Sequence, residues 1–506
     1  MKYDIKGNYF DGEFHYPPTT GPSAVESFID RECPSNLSQK LWRVPVDYRH
    51  VDPTIDSAVN GFKFWRNLKI EERINFLKKY QEQLVARKDE FAESIALEAG
   101  KPLWEAYTEA NALIAKVDVT ISESLPRINH KEYDEIMPGT KGHVYYKPLG
   151  PCLVIGPFNF PCHLANGQIL SALISGNSII FKPSEKTSYG GQLLIECFHS
   201  AGFPKGVINL IQGDGEIARR VLQSKAIKGV FFTGSKEVGL KILDSTYKDL
   251  SKLVSLELGG KNPAIVHKDA DMQNALQELV KGCFLTTGQR CTSTSIIAIH
   301  RSMQDEFISK FHELSKKLII DHPIEHEREP FMGPLIDKKA FDNYLLFMGM
   351  AKRENHEEIM RGKPLERKTK GYYVTPSIHL AESFNPESHF LQSEIFGPNC
   401  TLIPYDELEE AIEIANSTEY GLAAGIFTKD ITNYHKAVHD LDIGLLNLNR
   451  STVGASSKLP FGGVKNSGNY HPAAVATIDS CVYQMASLEL MDDSPADLGS
   501  IKGLDN

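Results

Sequence analysis

The sequence lacks the features typical of membrane-spanning, disulfide-bonded and nucleic-acid-binding proteins. None of its 506 residues belongs to a run long and apolar enough to span a bilayer, and the first residues contain no apolar core of a signal peptide. The eight cysteines form no Cys-x-x-Cys pair, and lysine and arginine form no block within a net charge of -10. We therefore expect a cytoplasmic protein with reduced thiols, no metal site, and no membrane or nucleic acid as partner.

Length and apolar patterning predict an α/β protein with more than one lobe, because 506 residues exceed what a single core usually organises. Short apolar runs alternate with helical patterns, as expected for a parallel sheet covered on both faces. The predicted strands of a first lobe are residues 152–155, 178–181, 207–211, 229–232 and 255–258. A second lobe begins near Pro263, with predicted helices at 272–284 and 303–319 and strands at 295–299 and 400–404. The first 50 residues are expected to be peripheral, and residues 352–370 to form an exposed excursion.

A cysteine in a polar, flexible setting is the first candidate for chemistry. Cys291 lies in residues 284–292 (Phe-Leu-Thr-Thr-Gly-Gln-Arg-Cys-Thr), and Glu257 precedes Leu-Gly-Gly-Lys in residues 256–261. A thiolate can attack a carbonyl and a carboxylate can activate the water that releases a thioester, so the pair covers both halves of covalent catalysis. Cys291 as an inert packing thiol and Glu257 as a helix cap are the structural alternatives.

These two motifs resemble those of the aldehyde dehydrogenase superfamily, as do residues 156–161 (Gly-Pro-Phe-Asn-Phe-Pro) and 394–398 (Glu-Ile-Phe-Gly-Pro), in the same chain order. The resemblance implies Cys291 as nucleophile, Glu257 as general base and Asn159 as an oxyanion donor, whereas a plain Asx turn is the alternative for Asn159. It also implies two Rossmann-like parallel-sheet lobes with a β oligomerisation arm. The expected limits are 1–128 and 149–258 for an NAD-binding domain, 259–466 for a catalytic domain, and 129–148 and 467–506 for the arm and tail.

The predicted phosphate site is a strand, turn and helix at residues 231–239. It has neither the Gly-x-Gly-x-x-Gly fingerprint nor the end of a P-loop. Free N–H groups and the positive end of a helix favour a pyrophosphate there, although a turn glycine with an N-cap serine explains the pattern equally well. The family resemblance implies that Gly234, Ser235 and Gly239 bind the cofactor.

Four further residues are cofactor candidates through the resemblance. Lys182 and Glu185 follow a predicted strand and match groups that bind the adenosine ribose, with a surface ion pair as the alternative. A carboxylate at Glu185 would repel a 2′-phosphate and so favours NAD over NADP. Glu394 and Phe396 match the family's residues for holding the nicotinamide ribose and supporting the nicotinamide ring.

The substrate expectation comes from the C-terminal quarter, at residues 447–457, 460–463, 467–473 and 485–489, and from residues 100–106 and 160–167. These segments resemble the subgroup that oxidises N-succinylglutamate 5-semialdehyde in arginine catabolism. Leu-Asn-Arg at 448–450 replaces a Trp-Asn-Lys pattern and Cys162 replaces a glycine, which leaves the acyl group of the substrate open. A dicarboxylated substrate needs cations, and Arg290 and Arg450 are candidates, with structural ion pairing as the alternative.

Two other classes of function remain open from the sequence. The first is an aldehyde dehydrogenase that acts on another semialdehyde or an aliphatic aldehyde. The second is a non-catalytic binding protein that retains the fold, against which the intact Cys291, Glu257 and Asn159 argue.

Residues 141–147 and 480–485 resemble the two pieces of the family's oligomerisation arm. A strand pair that leaves the body of the protein cannot bury its apolar side alone, so we expect a homo-oligomer, either a dimer or a tetramer. The alternative is that both strands fold back on their own subunit.

Overall fold

The computed structural model describes residues 1–21, 24–491 and 502–503, which form two sheets of mainly parallel strands and an antiparallel arm. The strands are β1 (Asn8–Phe10), β2 (Glu13–His15), β3 (Ser27–Cys33), β4 (Asn36–Val46), β5 (Lys131–Met137), β6 (Thr140–Pro148), β7 (Cys152–Ile155), β8 (Ile179–Lys182), β9 (Ile208–Leu210), β10 (Gly229–Thr233), β11 (Leu253–Glu257), β12 (Asn262–Val266), β13 (Thr294–His300), β14 (Glu357–Met360), β15 (Ser377–Leu380), β16 (Asn399–Tyr405), β17 (Tyr420–Gly421), β18 (Ala423–Phe427), β19 (Leu445–Leu448), β20 (Pro460–Phe461), β21 (Val464–Lys465), β22 (Ala473–Ala474) and β23 (Val482–Leu490).

Helices cover both sheets. They are α1 (Val51–Trp65), α2 (Ile70–Ala86), α3 (Lys88–Ala99), α4 (Leu103–Val119), α5 (His163–Ile174), α6 (Ser188–Ser200), α7 (Gly215–Gln223), α8 (Lys236–Thr246), α9 (Met272–Phe284), α10 (Gln304–Lys316), α11 (Lys338–Arg353), α12 (His389–Gln392), α13 (Leu408–Asn416) and α14 (Ile431–Asp440). Within the described ranges, none of these helices is long and apolar enough to cross a bilayer.

The first sheet has the strand order β11-β10-β7-β8-β9-β1-β2. Its five strands from β7 to β11 are parallel, and the residues of β7 and β8 are all buried because helices lie on both faces. The expectation that the first 50 residues are peripheral is wrong. Strand β1 pairs antiparallel with β9 and continues the sheet, and Trp42 of β4 is fully buried with its indole N–H donating to Glu98 at 2.5 Å.

The second sheet has the order β14-β15-β16-β13-β12-β18-β19 and is parallel except at its β14 edge. Residues 352–370 are therefore only partly an excursion, because β14 pairs with β15 inside that segment. The fold is the predicted α/β architecture of two parallel-sheet lobes.

The arm consists of β5, β6 and β23, in the order β23-β6-β5. Strand β23 pairs with β6 from Val482 opposite Pro148 to Leu490 opposite Thr140, and every residue of β5 is exposed. The imidazoles of His130 and His143 and the carboxylate of Glu132 come within 4.8 Å of one another here. The expectation of no metal site remains a prediction.

The strands of the first sheet lie within residues 8–15 and 152–257, and those of the second sheet lie within residues 262–448. The strands of the arm lie within residues 131–148 and 482–490. The domain limits expected from the sequence remain a proposal. Of the expected tail, residues 492–501 and 504–506 lie outside the described residues.

Candidate active site

A cavity of about 1030 Å³ lies along the carboxyl ends of the first sheet's parallel strands and reaches Cys291. This edge is where ligands bind in open α/β sheets, since the strand ends and helix N-termini meet there. The structure brings most of the sequence-predicted residues to this first cavity: Asn159, Lys182, Glu185, Gly234, Ser235, Cys291, Glu394 and Phe396.

The turn after β10 has the geometry of an anion site. Ser235 is the N-cap of α8, and its hydroxyl accepts a hydrogen bond from the backbone N–H of Val238 at 3.4 Å. The backbone N–H of Gly234 donates to the carbonyl of Glu257 at 3.0 Å, which ties the turn to the end of the neighbouring strand β11. Gly239 does not line the cavity. A Cβ on it would lie 2.7 Å from the Leu258 side chain, so this glycine permits close packing of α8.

Lys182 and Glu185 lie at the end of β8. The Lys182 ammonium is buried, donates to the Pro183 carbonyl at 3.1 Å and is 3.6 Å from the Glu185 carboxylate. Burial lowers the pKa of Lys182, while the Glu185 side chain is 45% exposed. A cation and a carboxylate thus both line the cavity, where one can donate to and the other accept from the hydroxyl groups of a ligand.

The loop before Cys291 is held in an uncommon backbone conformation. Thr286 and Thr287 both have a φ of 56°, in the left-handed region that side chains other than glycine seldom adopt. At Gly288, with a φ of 66°, a Cβ would lie 2.1 Å from the carbonyl oxygen of Gly397. Only glycine fits there, so the cysteine loop packs directly on the segment that carries Phe396.

Cys291 is partly exposed, whereas the seven other cysteines are buried. Burial of its sulfur, and then the nearby carboxyl groups of Glu394 and Glu257, raise the pKa of the thiol to about 12. Burial and the two carboxyl groups thus disfavour the thiolate, which is the form of the cysteine that attacks a carbonyl.

Asn159 lies between the cavity and the cysteine loop. Its side-chain amide donates to the Gln289 carbonyl at 3.0 Å, and its carbonyl oxygen accepts from the backbone N–H of Phe160 at 3.1 Å. Both bonds fix the orientation of the amide, and its second N–H is free to donate to an oxyanion. The bond to Phe160 is to the next residue and does not close an Asx turn, for which Pro161 offers no N–H.

Glu257 is the last residue of β11 and is buried. One carboxyl oxygen accepts from the backbone N–H of Ala473 at 3.1 Å, and the other has no hydrogen-bond partner. Burial raises the pKa of Glu257 well above its usual value. A buried carboxyl with an unused oxygen, next to a thiol, has the properties of a general base.

Glu394 and Phe396 occupy the opposite side of the cysteine. Glu394 accepts from the backbone N–H of Gly260 at 3.0 Å, and burial raises its pKa to about 7. A Cβ on Gly259 would lie 2.0 Å from the Glu394 carboxylate, so the glycine pair at 259–260 makes room for it. Phe396, with a φ of 54°, sets its ring edge to face against Phe158 at 5.6 Å.

A second cavity, of about 240 Å³, lies on the other side of Cys291 and Glu257. Arg290 lines it, but its guanidinium pairs with the buried Glu105 at 2.5 Å and also donates to Thr286. Arg450 is exposed and lines neither cavity.

Sequence reasoning missed three residues of the second cavity: Lys116 of α4 and His163 and Gln168 of α5. One signal for this site was available in the sequence: Lys116 is a charged residue next to Val117, on a helix face that also carries Leu113.

Comparison with known proteins agrees with this geometry. The model of the aldehyde dehydrogenase family matches residues 22–484. The N-succinylglutamate 5-semialdehyde dehydrogenase of Novosphingobium aromaticivorans is 34% identical over 468 residues, which cover 91% of this chain and 96% of that protein. The crystal structure of an NAD-dependent aldehyde dehydrogenase from Sinorhizobium meliloti is similar with a TM-score of 0.90 and 26% identity, covering 97% and 96% of the two chains. A 1-pyrroline-5-carboxylate dehydrogenase from Thermus with bound NAD gives a TM-score of 0.87 and 27% identity, covering 96% and 93%.

The chain belongs to the aldehyde dehydrogenase family. It is an oxidoreductase that acts on aldehydes, and the sequence-based expectation of family and fold is confirmed.

Proposed function

We propose that this protein oxidises N-succinylglutamate 5-semialdehyde to N-succinylglutamate with NAD as the hydride acceptor. The observation that carries the reaction is Cys291 at the junction of two cavities, with Glu257 on one side and Glu394 on the other. The substrate rests on the similarity over most of the chain to enzymes named for that aldehyde, the Sphingopyxis alaskensis protein at 36% identity among them.

The first half of the reaction builds a covalent intermediate on Cys291. The Cys291 thiol gives its proton to a solvent water, the sulfur forms a bond to the aldehyde carbon, and the electron pair of the carbonyl double bond moves to oxygen, which becomes an oxyanion. The free N–H of the Asn159 amide and the backbone N–H of Cys291 donate to that oxygen. When bound, oxidised NAD supplies the hydride acceptor and a positively charged ring. Loss of hydride from the adduct leaves a thioester on Cys291.

The second half is hydrolysis of the thioester. The unpartnered oxygen of Glu257 takes a proton from water, and the resulting hydroxide attacks the thioester carbon. The bond to sulfur breaks, the Cys291 thiolate takes the proton that Glu257 received from water, and the acid leaves.

The residues of the first cavity fit a dinucleotide. A helix N-cap at Ser235 suits the pyrophosphate, Lys182 and Glu185 suit the adenosine ribose, and Glu394 suits the nicotinamide ribose. Gly239 supports the site through the packing of α8. We propose NAD in preference to NADP because a carboxylate on the wall of the first cavity, at Glu185, would repel a 2′-phosphate.

The arm supports a proposed homo-oligomer, either a dimer or a tetramer. Tyr133 of β5 and Leu488 of β23 are 47% and 60% exposed, and the arm's outer strands leave backbone groups open to pairing. We also propose a cytoplasmic location, which suits the eight free cysteines.

Steady-state kinetics with NAD on N-succinylglutamate 5-semialdehyde, its acetylated analogue and unsuccinylated glutamate 5-semialdehyde test the substrate. The highest kcat/KM is expected for the succinylated aldehyde. A higher value for either of the others, or for a plain aliphatic aldehyde, would overturn the substrate and leave the aldehyde chemistry in place.

A further inference from the structure

The second cavity contains buried polar atoms that the protein leaves without partners. Lys116 Nζ, His163 Nδ1, Gln168 Oε1 and Glu257 Oε2 each lack a hydrogen-bond partner, and all four residues line this cavity. Buried polar atoms are almost always paired, so four of them around one space next to the nucleophile indicate a polar ligand. Glu257 is already assigned to the reaction, and the other three are not.

The charges around the cavity are otherwise balanced in pairs. The buried Lys101 pairs with Glu109 at 2.7 Å, and Arg290 pairs with Glu105 at 2.5 Å. Glu109 also accepts from two backbone N–H groups at the start of α5. Among the described residues that line the cavity, this leaves Lys116 as the cation without a carboxylate partner.

An unpaired buried ammonium is costly, because the group loses its hydration and gains no counter-charge. Lys116 is 2% exposed, and burial lowers its pKa to about 8. The cost is removed when an anion enters the cavity, so the site favours an anionic ligand over a neutral one of the same size.

Helix packing directs the lysine into this space. The Lys116 stem crosses α5 at Gly167, where a Cβ would lie 3.2 Å from the lysine Cε. Any larger residue at 167 would press on the stem. Gly167 therefore leaves room for the lysine stem between the two packed helices, and Lys116 lines the same cavity as Cys291.

From these contacts we propose that Lys116 is the binding site for a carboxylate of the aldehyde substrate, a specificity residue that selects acidic semialdehydes. The adjacent Gln168 Oε1 is an unpaired acceptor, and His163 Nδ1 is unpaired beside it. Both can accept from an amide N–H, which an N-acylated amino acid offers next to its carboxylate. The proposal rests on the proposed aldehyde oxidation and adds the cation that Arg290 and Arg450 do not provide.

The test replaces Lys116 by methionine, which has a similar unbranched length and no charge. A charge-assisted hydrogen bond contributes about 1.5–3 kcal/mol, so KM for glutarate semialdehyde should rise by about 10- to 150-fold, with a much smaller change in kcat. Pentanal has the same chain length without the carboxylate. The ratio of kcat/KM for the acid over pentanal should fall by at least about 10-fold.

Lys78→Met is the matched control. Lys78 lies on the surface of α2 and pairs with Asp118, near the end of the helix α4 that carries Lys116. The same chemical change is thus made outside the cavity, and the ratio of kcat/KM should stay as in the wild type. Lys116→Arg should restore part of the preference for the acid. Thermal unfolding checks folding, and Lys116→Met should unfold no lower than the wild type, because an unpaired buried charge has been removed.

Two outcomes would overturn the proposal: an unchanged ratio in Lys116→Met, as when both aldehydes lose activity equally, or no preference of the wild type for the acid. Neither glutarate semialdehyde nor pentanal carries an N-acyl group, so this test of Lys116 does not depend on the acyl group of the substrate. If the wild type prefers glutarate semialdehyde to pentanal but does not oxidise the succinylated aldehyde, the substrate assignment fails and the role of Lys116 stands.

Discussion

Replacing Glu257 by glutamine should separate the two halves of the reaction. Oε1 accepts from the Ala473 N–H at 3.1 Å, and a glutamine oxygen can keep that bond. Oε2, the atom without a partner, becomes an NH₂ group that cannot take a proton from water. The side chain keeps its size and its buried position at the end of β11, so binding of aldehyde and cofactor should change little.

The size of the effect follows from the role of Glu257. General-base catalysis contributes about 10²- to 10⁴-fold, which corresponds to about 2.7–5.4 kcal/mol in the barrier to deacylation. Acylation does not use this base in our mechanism, so its rate should fall by less than about 10-fold. Deacylation then becomes rate-limiting, and thioester accumulates on the enzyme.

The assay is rapid mixing of enzyme, aldehyde and NAD, followed by the absorbance of NADH. Glu257→Gln should give a burst of about one NADH per subunit and then slow turnover. Glu394→Gln is the matched control, since it is another buried carboxyl with a raised pKa next to Cys291 but on the cofactor side. It should slow NADH formation itself and give no burst. A slow trace without a burst in Glu257→Gln would refute the assigned base.

Three further predictions concern cofactor choice, pH and assembly. Glu185→Gln should lower the ratio of kcat/KM for NAD over NADP by about 10-fold by removing repulsion of the 2′-phosphate, equivalent to about 1.4 kcal/mol. Glu306→Gln is the control, because Glu306 pairs with Lys310 on the surface of α10 and does not line the cofactor cavity; an unchanged ratio in Glu185→Gln would contradict the assignment. Burial raises the pKa of Glu257, so the carboxyl holds its proton until the pH approaches that raised value. The deacylation rate should therefore increase with pH in the wild type and be flat in Glu257→Gln. A flat wild-type profile in single-turnover measurements would count against Glu257 as the base. The double variant Tyr133→Asp and Leu488→Asp should lower the mass of the oligomer measured by light scattering. The control Leu250→Asp, at a 99% exposed site on the first lobe, should leave that mass unchanged. A wild-type monomer at micromolar concentration would disprove arm-mediated assembly.

Much of the fold was predictable because its central strands are short apolar runs buried on both faces. Helix α9 begins and ends where the sequence predicts, and β7 coincides with its predicted run. Strand β1 was missed because it has three residues and becomes a strand only by pairing with β9, about 200 residues away. Strand β5 was missed because all its residues are exposed, so it has no apolar alternation to detect.

The candidate site, like the fold, was only partly predictable from the sequence. Cys291, Glu257 and Asn159 could be predicted because each lies in a short motif of its own that resembles the family's, although the three motifs are far apart in the chain. The ion-pair partner of Arg290 could not be predicted, because Arg290 lies in a loop and Glu105 lies 185 residues away on α4. The same limit hid Lys116, whose importance comes from the absence of a partner in the folded cavity and from Gly167 on the neighbouring helix.

The central claim is that the aldehyde passes through a thioester on Cys291. Its most direct test is mass spectrometry of Glu257→Gln, quenched with acid after mixing with N-succinylglutamate 5-semialdehyde and NAD, then digested. Our account predicts the mass of the N-succinylglutamyl group on the peptide that contains Cys291, and no such mass when Cys291→Ala is added to the variant. The acyl group on a different residue, or NADH formed with the Cys291→Ala variant, would contradict it.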